Sequence, residues 1–185
     1  MNALKALHRA VFGWLENADW LLPTLARLMF AGILLMYFWV SALTKIGTGF
    51  GGIFTLDDGV YMQIFPRAMA AVGYDSSQLG LYHKATALVG TWAEFALPLL
   101  IVVGFLTRLA ALGLIGFITV QSLTDLFAHG KISDAKVLGA WFDRFPDAMI
   151  MDQRAFWVFL LLVLVIKGAG PVSFDRAIGG PPDRA

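Results

Sequence analysis

Four stretches of this chain are apolar over so many consecutive residues that their backbone has little prospect of water to bond to, and this restricts the fold more than any other feature. The hydrocarbon core of a bilayer takes about 20 apolar residues as a helix. Inside it, only helices and closed barrels satisfy their own N–H and C=O groups. The runs here are long and do not alternate in polarity, so helices are expected and an all-α membrane bundle follows. The first span is read over 24–45, an apolar run flanked by Arg27 and Lys45, whose long side chains can snorkel to the two interfaces. The second covers 84–105 and is interrupted by Glu94 near its middle and by Pro98 one turn later. The third, 109–129, starts apolar and turns polar toward Thr119, Gln121, Ser122, Thr124 and Asp125. The strict apolar run of the fourth is only 155–166, about 18 Å of helix, so it must borrow turns from its flanks over 153–170.

The remaining segments sort around these spans. Residues 2–20 carry Leu4, Leu7, Val11, Trp14 and Leu15 at helical spacing, with Lys5, Arg9 and Glu16 on other faces, the pattern of an interfacial amphipathic helix. They do not read as a removable signal segment. Segments 46–83 and 130–152 are extramembrane loops, the first with a short helix expected over 61–72, and 171–185 is a polar tail. With 58% hydrophobic and 15% charged residues and a mean hydropathy of +0.72, a soluble globule is disfavoured. A net charge of +1 without basic blocks argues against a nucleic-acid partner. The absence of cysteine removes thiol relays, thiolate zinc sites and cysteine-ligated clusters, so redox chemistry would have to belong to a bound cofactor, a quinone or a partner. Four spans put both termini on one side and both loops on the other. The 14 Lys and Arg divide evenly between the two sides. The acids cluster on the loop side, and the termini are read as cytoplasmic in a bacterial inner membrane.

Several residues then line up with a known pattern. The first span has Arg27, Gly32, the run Tyr37, Phe38, Trp39, Val40, Ser41, Ala42, and the closing Thr44 and Lys45; the second has the single mid-helix acid Glu94. The junction Gly104, Phe105, Leu106, Thr107, Arg108, Leu109, Ala110, Ala111 and the closing stretch Gly168, Ala169, Gly170, Pro171, Val172, Ser173, Phe174, Asp175 complete it. In these the chain resembles the DoxX family of small four-helix membrane proteins, although Ala42 stands where that family commonly has glycine. The resemblance implies a four-helix fold and, for some members, service as the membrane subunit of a thiosulfate:quinone oxidoreductase. Other members are linked to membrane redox complexes, and distant four-helix relatives act in assembly or chaperoning.

The polar residues inside the spans are the candidate site. A carboxylate at mid-membrane costs about 2.5–3.5 kcal/mol on insertion scales, so Glu94 should face the bundle and pair with a base or hold a proton. The second and third spans run antiparallel, which puts Glu94 level with about Thr119, Gln121 and Ser122. Gln121, Asp125 and His129 share one helix face at i, i+4, i+8, and Lys45 and His83 end their helices at the same interface. These six could line one funnel open to the loop side. A quinone headgroup needs donors for its two carbonyls and groups that move protons: Gln121 and His129 donate, Glu94 and Asp125 relay, and Trp39, Trp92 or Phe95 pack on a ring. Glu94 and Asp125 are therefore the expected catalytic pair, with Trp39, Lys45, His83, Trp92, Gln121 and His129 around the cofactor.

Blander readings stand beside these. Buried polar residues in membrane bundles often serve only to bond neighbouring helices. His83 and His129 could hold a haem between them, but histidines at helix ends are more often interfacial. Met62, Met69, Met149 and Met151 could offer thioethers to Cu(I) but are also ordinary packing material, and no metal site is read from the sequence. Two functions remain: a quinone-linked membrane redox subunit working with a protein partner or as a homo-oligomer, and a non-enzymatic accessory, assembly or metal and oxidative-stress protein. The latter would dock a partner through its loops, with Trp141, Phe142, Phe145 and Phe156. A solute transporter is disfavoured because the break at Pro98 has no counterpart in the other half.

Overall fold

The computed structural model describes residues 2–49 and 51–179, and its only strand-like feature among them is a bridge between Ile46 and Leu56. In chain order the helices are α1 (Asn2–Glu16), α2 (Leu21–Ile33), α3 (Leu35–Leu43), α4 (Asp58–Ile64), α5 (Pro66–Ala71), α6 (Leu81–Val103), α7 (Thr107–Leu123), α8 (Ala155–Lys167) and α9 (Phe174–Gly179). Four helical stretches are long and apolar enough to cross a membrane: Leu21–Leu43, Leu81–Val103, Thr107–Ala128 and Met149–Lys167. The chain thus has the helices of a multi-pass membrane protein. The first stretch joins α2 and α3 through Leu34, whose N–H still donates to Phe30 and whose carbonyl still accepts from Phe38. The fourth takes its extra turn entirely from the N-terminal flank. Gly168, at φ +80°, ends it, so the expected extension to residue 170 does not form.

Around the bundle, α2 and α3 pack on α6, α6 on α7, α7 on α8, and α8 on α2. The core between them is Phe30, Leu34, Phe38, Ile101, Leu114, Ile118, Leu161 and Leu164, with Ala26, Ala110 and Ala111 letting the backbones approach. In lipid such association rests on close packing rather than on escape from water, which is why the small residues matter. The apolar stripe of α1 is exposed, Leu4 at 75% and Trp14 at 62%. The helix expected over 61–72 is two helices, α4 and α5. Pro66 starts the second, because its ring cannot continue the first yet suits an N-terminal turn.

The end of the bundle that carries the termini is tied by side chains to backbone. Gly104 closes α6 in the left-handed region at φ +73°, and a Cβ there would stand 2.5 Å from that of Ser173. Asp175, arriving from the tail, accepts the N–H groups of Leu106 at 2.7 Å and Thr107 at 2.9 Å and so caps α7 from outside its own segment. Burial works against its charge, but the Thr107 and Leu106 N–H groups and the Arg27 guanidinium outweigh it and hold the carboxyl below the usual aspartate range. Arg27 donates to four carbonyls, those of Ile101, Val102, Ala169 and Val172. It is a knot joining α2, the end of α6 and the tail rather than a side chain reaching for the interface.

Candidate functional site

Pro98 lacks the N–H that would bond the carbonyl four residues back, which belongs to Glu94. The helix nevertheless runs through, from Leu81 to Val103. Trp39 donates its indole N–H to the neighbouring Phe95 carbonyl at 3.2 Å, across from α3 to α6. Trp39 is therefore a tie between α3 and α6 and does not line the cavity described below.

The Glu94 side chain points inward at 2% exposure. Its Oε1 accepts from the Lys45 ammonium and, at 3.4 Å, from the Ser41 hydroxyl; its Oε2 has no partner. Lys45 is itself buried, so the expected snorkel to the interface gives way to a contact with the carboxylate. The loop holds it there, with the Asp57 N–H donating to the Lys45 carbonyl at 3.0 Å. A lysine two residues beyond the apolar run can reach outward to water or inward to a buried acid. Here the acid wins, because an uncompensated carboxylate in this position is the more costly of the two.

A second pair faces the first. Arg154, 3% exposed, places Nη1 2.7 Å from Asp125 Oδ2 and donates to the Ser122 hydroxyl at 3.0 Å. The Asp125 contact is an ion pair by distance without the alignment of a hydrogen bond. Both residues lie on π-helical turns, Thr124–Ala128 closing the third span and Met149–Arg154 opening the fourth. Such turns widen a helix and recur at functional sites. Sequence reasoning counted Arg154 only among the loop-side charges and missed this role. The signal was there in a cation at the start of the short fourth span, across the interface from an acid at the end of the third.

Lys45, Glu94, Gln121, Asp125, His129 and Arg154 all line one cavity of about 840 Å³, with Tyr37 and Phe117 as its aromatic walls. Gln121 Nε2 lies 3.5 Å from the Tyr37 hydroxyl and its Oε1 has no partner. Gln63 and Ile64 of α4 roof the chamber. The roof is fastened where His129 Nε2 meets the Gln63 carbonyl at 2.8 Å and where Arg67 donates to the Phe127 carbonyl at 2.9 Å. Since a carbonyl only accepts, that His129 nitrogen carries the proton.

Three sequence candidates stand elsewhere. His83 packs its ring on Phe65 and Tyr82 and does not line the cavity. Trp92 donates to the Ile53 carbonyl at 2.8 Å and stacks edge-on with Phe54, fastening the first loop to α6; Trp39 is accounted for above. A tryptophan N–H at a helix–loop junction finds a carbonyl more readily than a ligand. The depth alignment also shifts. Leu97 and Gly113 meet across the α6–α7 seam, so Glu94 lies level with Gly116, and Gln121 sits about 7 Å nearer the loops. The turn at Gly104 is tighter than the spacing expected, because Asp175 starts α7 already at Thr107. Thr119 and Thr124 return their hydroxyls to their own helix, as does Ser122, which also accepts from Arg154.

Comparison with known proteins finds no family model, no curated protein and no solved structure that matches this chain.

Proposed function

We propose that the chain is a multi-pass protein of a bacterial inner membrane, with cytoplasmic termini and α1 lying in the interface, that serves as a DoxX-like membrane subunit of a quinone-linked redox complex. The observation that carries this reading is that two carboxylates, each held by a cation, face one large chamber while Glu94 Oε2 stays without a partner. The Lys45–Glu94 pair is buried on both sides and the Asp125–Arg154 pair on the arginine side, and ion pairs taken from water contribute little net stability relative to apolar packing. Two of them around an otherwise mostly apolar pocket are the few convergent polar groups of a small-molecule site.

The chamber's residues fit a quinone headgroup. Lys45, Arg154 and Gln121 supply N–H donors for two carbonyl oxygens, and Tyr37 and Phe117 supply faces for a ring. Glu94 and Asp125 accept or return protons, each beside a cation that can take over the hydrogen bond as charge changes. A bound quinone would itself supply the two-electron, two-proton couple, with electrons from a partner protein, since the chain has no cysteine to relay them. A second reading, an accessory protein that docks a partner through its outer loops, draws support from Trp141, Phe142 and Phe145, all strongly exposed.

The test is to purify the chain in mild detergent and extract its lipids, alongside Glu94→Gln and Arg154→Met. Quinone retained at near one per chain by the wild type and lost from both variants supports the proposal. A wild type that holds no quinone and binds none when it is added back overturns it.

A further inference from the structure

We propose that the slot between α6 and α7 is the way in from the lipid and the seat for the hydrocarbon tail of a membrane-borne quinone, whose headgroup lies at the Glu94–Lys45 and Asp125–Arg154 pairs. This rests on the quinone reading above and specifies the ligand class further, from a free headgroup to a tailed, lipid-dissolved one.

Helix geometry gives the direction of the slot. At about 100° per residue, Ala93 and Val89 lie roughly 100–140° round α6 from the inward-facing Glu94. On α7, Val120 and Gly116 lie roughly 120–160° round from the buried Leu114, on the flank turned to α6. All four line the same cavity as the two ion pairs. Val89 is 65% and Val120 61% exposed, so the cavity runs outward between the two helices to the bundle's lipid-facing surface. Below, the seam is shut where a Cβ on Gly113 would press on Leu97 at 3.2 Å. Above that point it is open: a Cβ on Gly90 or on Gly116 meets nothing within 4 Å.

The aqueous route is covered by contrast. Gln63 and Ile64 lie over the chamber, held by the His129 and Arg67 contacts. The independent pointer to a ligand is Glu94 itself, 2% exposed, with an unpartnered oxygen in the wall of this cavity at the level of Gly116. At about 840 Å³ the space is near the top of the roughly 300–1,000 Å³ range of ligand pockets, more than one six-membered ring fills. The slot is lined by Val89, Ala93, Gly116 and Val120 and the two ion pairs lie at the chamber end, the same division as in a quinone with an alkyl or isoprenoid tail.

The experiment measures saturable quenching of tryptophan fluorescence by two probes, tail-less 1,4-benzoquinone and the same ring with a ten-carbon alkyl tail. Proteins are the wild type, Gly116→Leu, Gly90→Leu on the facing wall, and Gly32→Leu as a control. Gly32 lies on α2, where an added Cβ also meets nothing within 4 Å. The expected result is that Gly116→Leu and Gly90→Leu each weaken the tailed probe about tenfold, the displacement of roughly two methylenes. The tail-less probe stays within about threefold, and Gly32→Leu changes neither. Helicity and thermal unfolding are recorded for each protein, and if one slot variant fails to fold the other decides. A tailed probe that binds no more tightly than the tail-less one, and is indifferent to both slot variants, overturns the slot and leaves the headgroup reading standing. A wild type that binds neither probe overturns both.

Discussion

Replacing Lys45 by methionine keeps much of the side chain's volume and removes its charge, which strands the Glu94 carboxylate in a site where it is 2% exposed. Two unit charges in contact at about 3 Å, in a medium of effective dielectric about 20, attract by about 5 kcal/mol. Much of this is cancelled by the cost of taking both groups out of water, so the net worth of the intact pair is small. The loss on removing one partner is not small. The remaining Ser41 contact is long at 3.4 Å and falls on the oxygen that Lys45 already serves, so nothing in the chamber replaces the ammonium. A carboxylate left without its cation costs about 3–5 kcal/mol. The lower bound, a polar group merely left unsatisfied, is about 1–3 kcal/mol. Lys45→Met should therefore lower unfolding stability by about 3 kcal/mol, while Lys45→Met with Glu94→Gln recovers at least about 2 kcal/mol of it. The assay is reversible unfolding in mixed micelles of rising denaturing-detergent fraction, followed by helical circular dichroism for both single variants and the double. Additive effects, with a coupling below about 0.5 kcal/mol, would mean that the two groups do not depend on each other and would refute the reasoning.

Four further outcomes follow, three at the knot at the opposite end and one in open helix. Asp175 has its carboxyl held below the ordinary value of 3.8, so its contribution is complete above that pH and fades as pH falls through the lower folded-state value. Asp175→Asn turns one of the two accepting oxygens into a donor and should cost about 1 kcal/mol at neutral pH, and thermal melts of the two proteins should draw together as pH falls below about 3.8 and meet only below the folded-state value. Gly104→Ala forces a Cβ into left-handed backbone against Ser173 and should cost about 2 kcal/mol or more. Gly32→Ala, in open helix, should be neutral or stabilising by up to about 1 kcal/mol in the same melts. Arg27→Lys keeps the charge but loses the fork that reaches four carbonyls, and should cost at least about 2 kcal/mol by detergent-denaturation midpoint.

The architecture was legible because the solvent a span requires is written in its composition: about 20 apolar residues in a row have few other uses, and Gly104 and Gly168 stop their helices through backbone freedom that no neighbour has to supply. Glu94 was legible as an inward-facing group for the same reason, as a charge where charge is expensive. What the sequence could not supply was direction. Lys45 at the end of an apolar run is as compatible with reaching out as with reaching in, and Trp39 and Trp92 are as compatible with a ligand as with the carbonyls of Phe95 and Ile53 that they bond.

By itself, then, the order of residues determined how many helices are long and apolar enough to cross a membrane and that Glu94 is a charge set among them, since both follow from local transfer free energies that each segment expresses alone. Only the tertiary structure decided which cation answers which acid. Arg154 and Asp125 lie 29 positions apart, and Lys45 and Glu94 lie 49 apart. Whether such groups meet depends on helix rotation and on register. These are set by Leu97 against Gly113 and by Asp175 capping α7, contacts whose energies exist only once the bundle has closed.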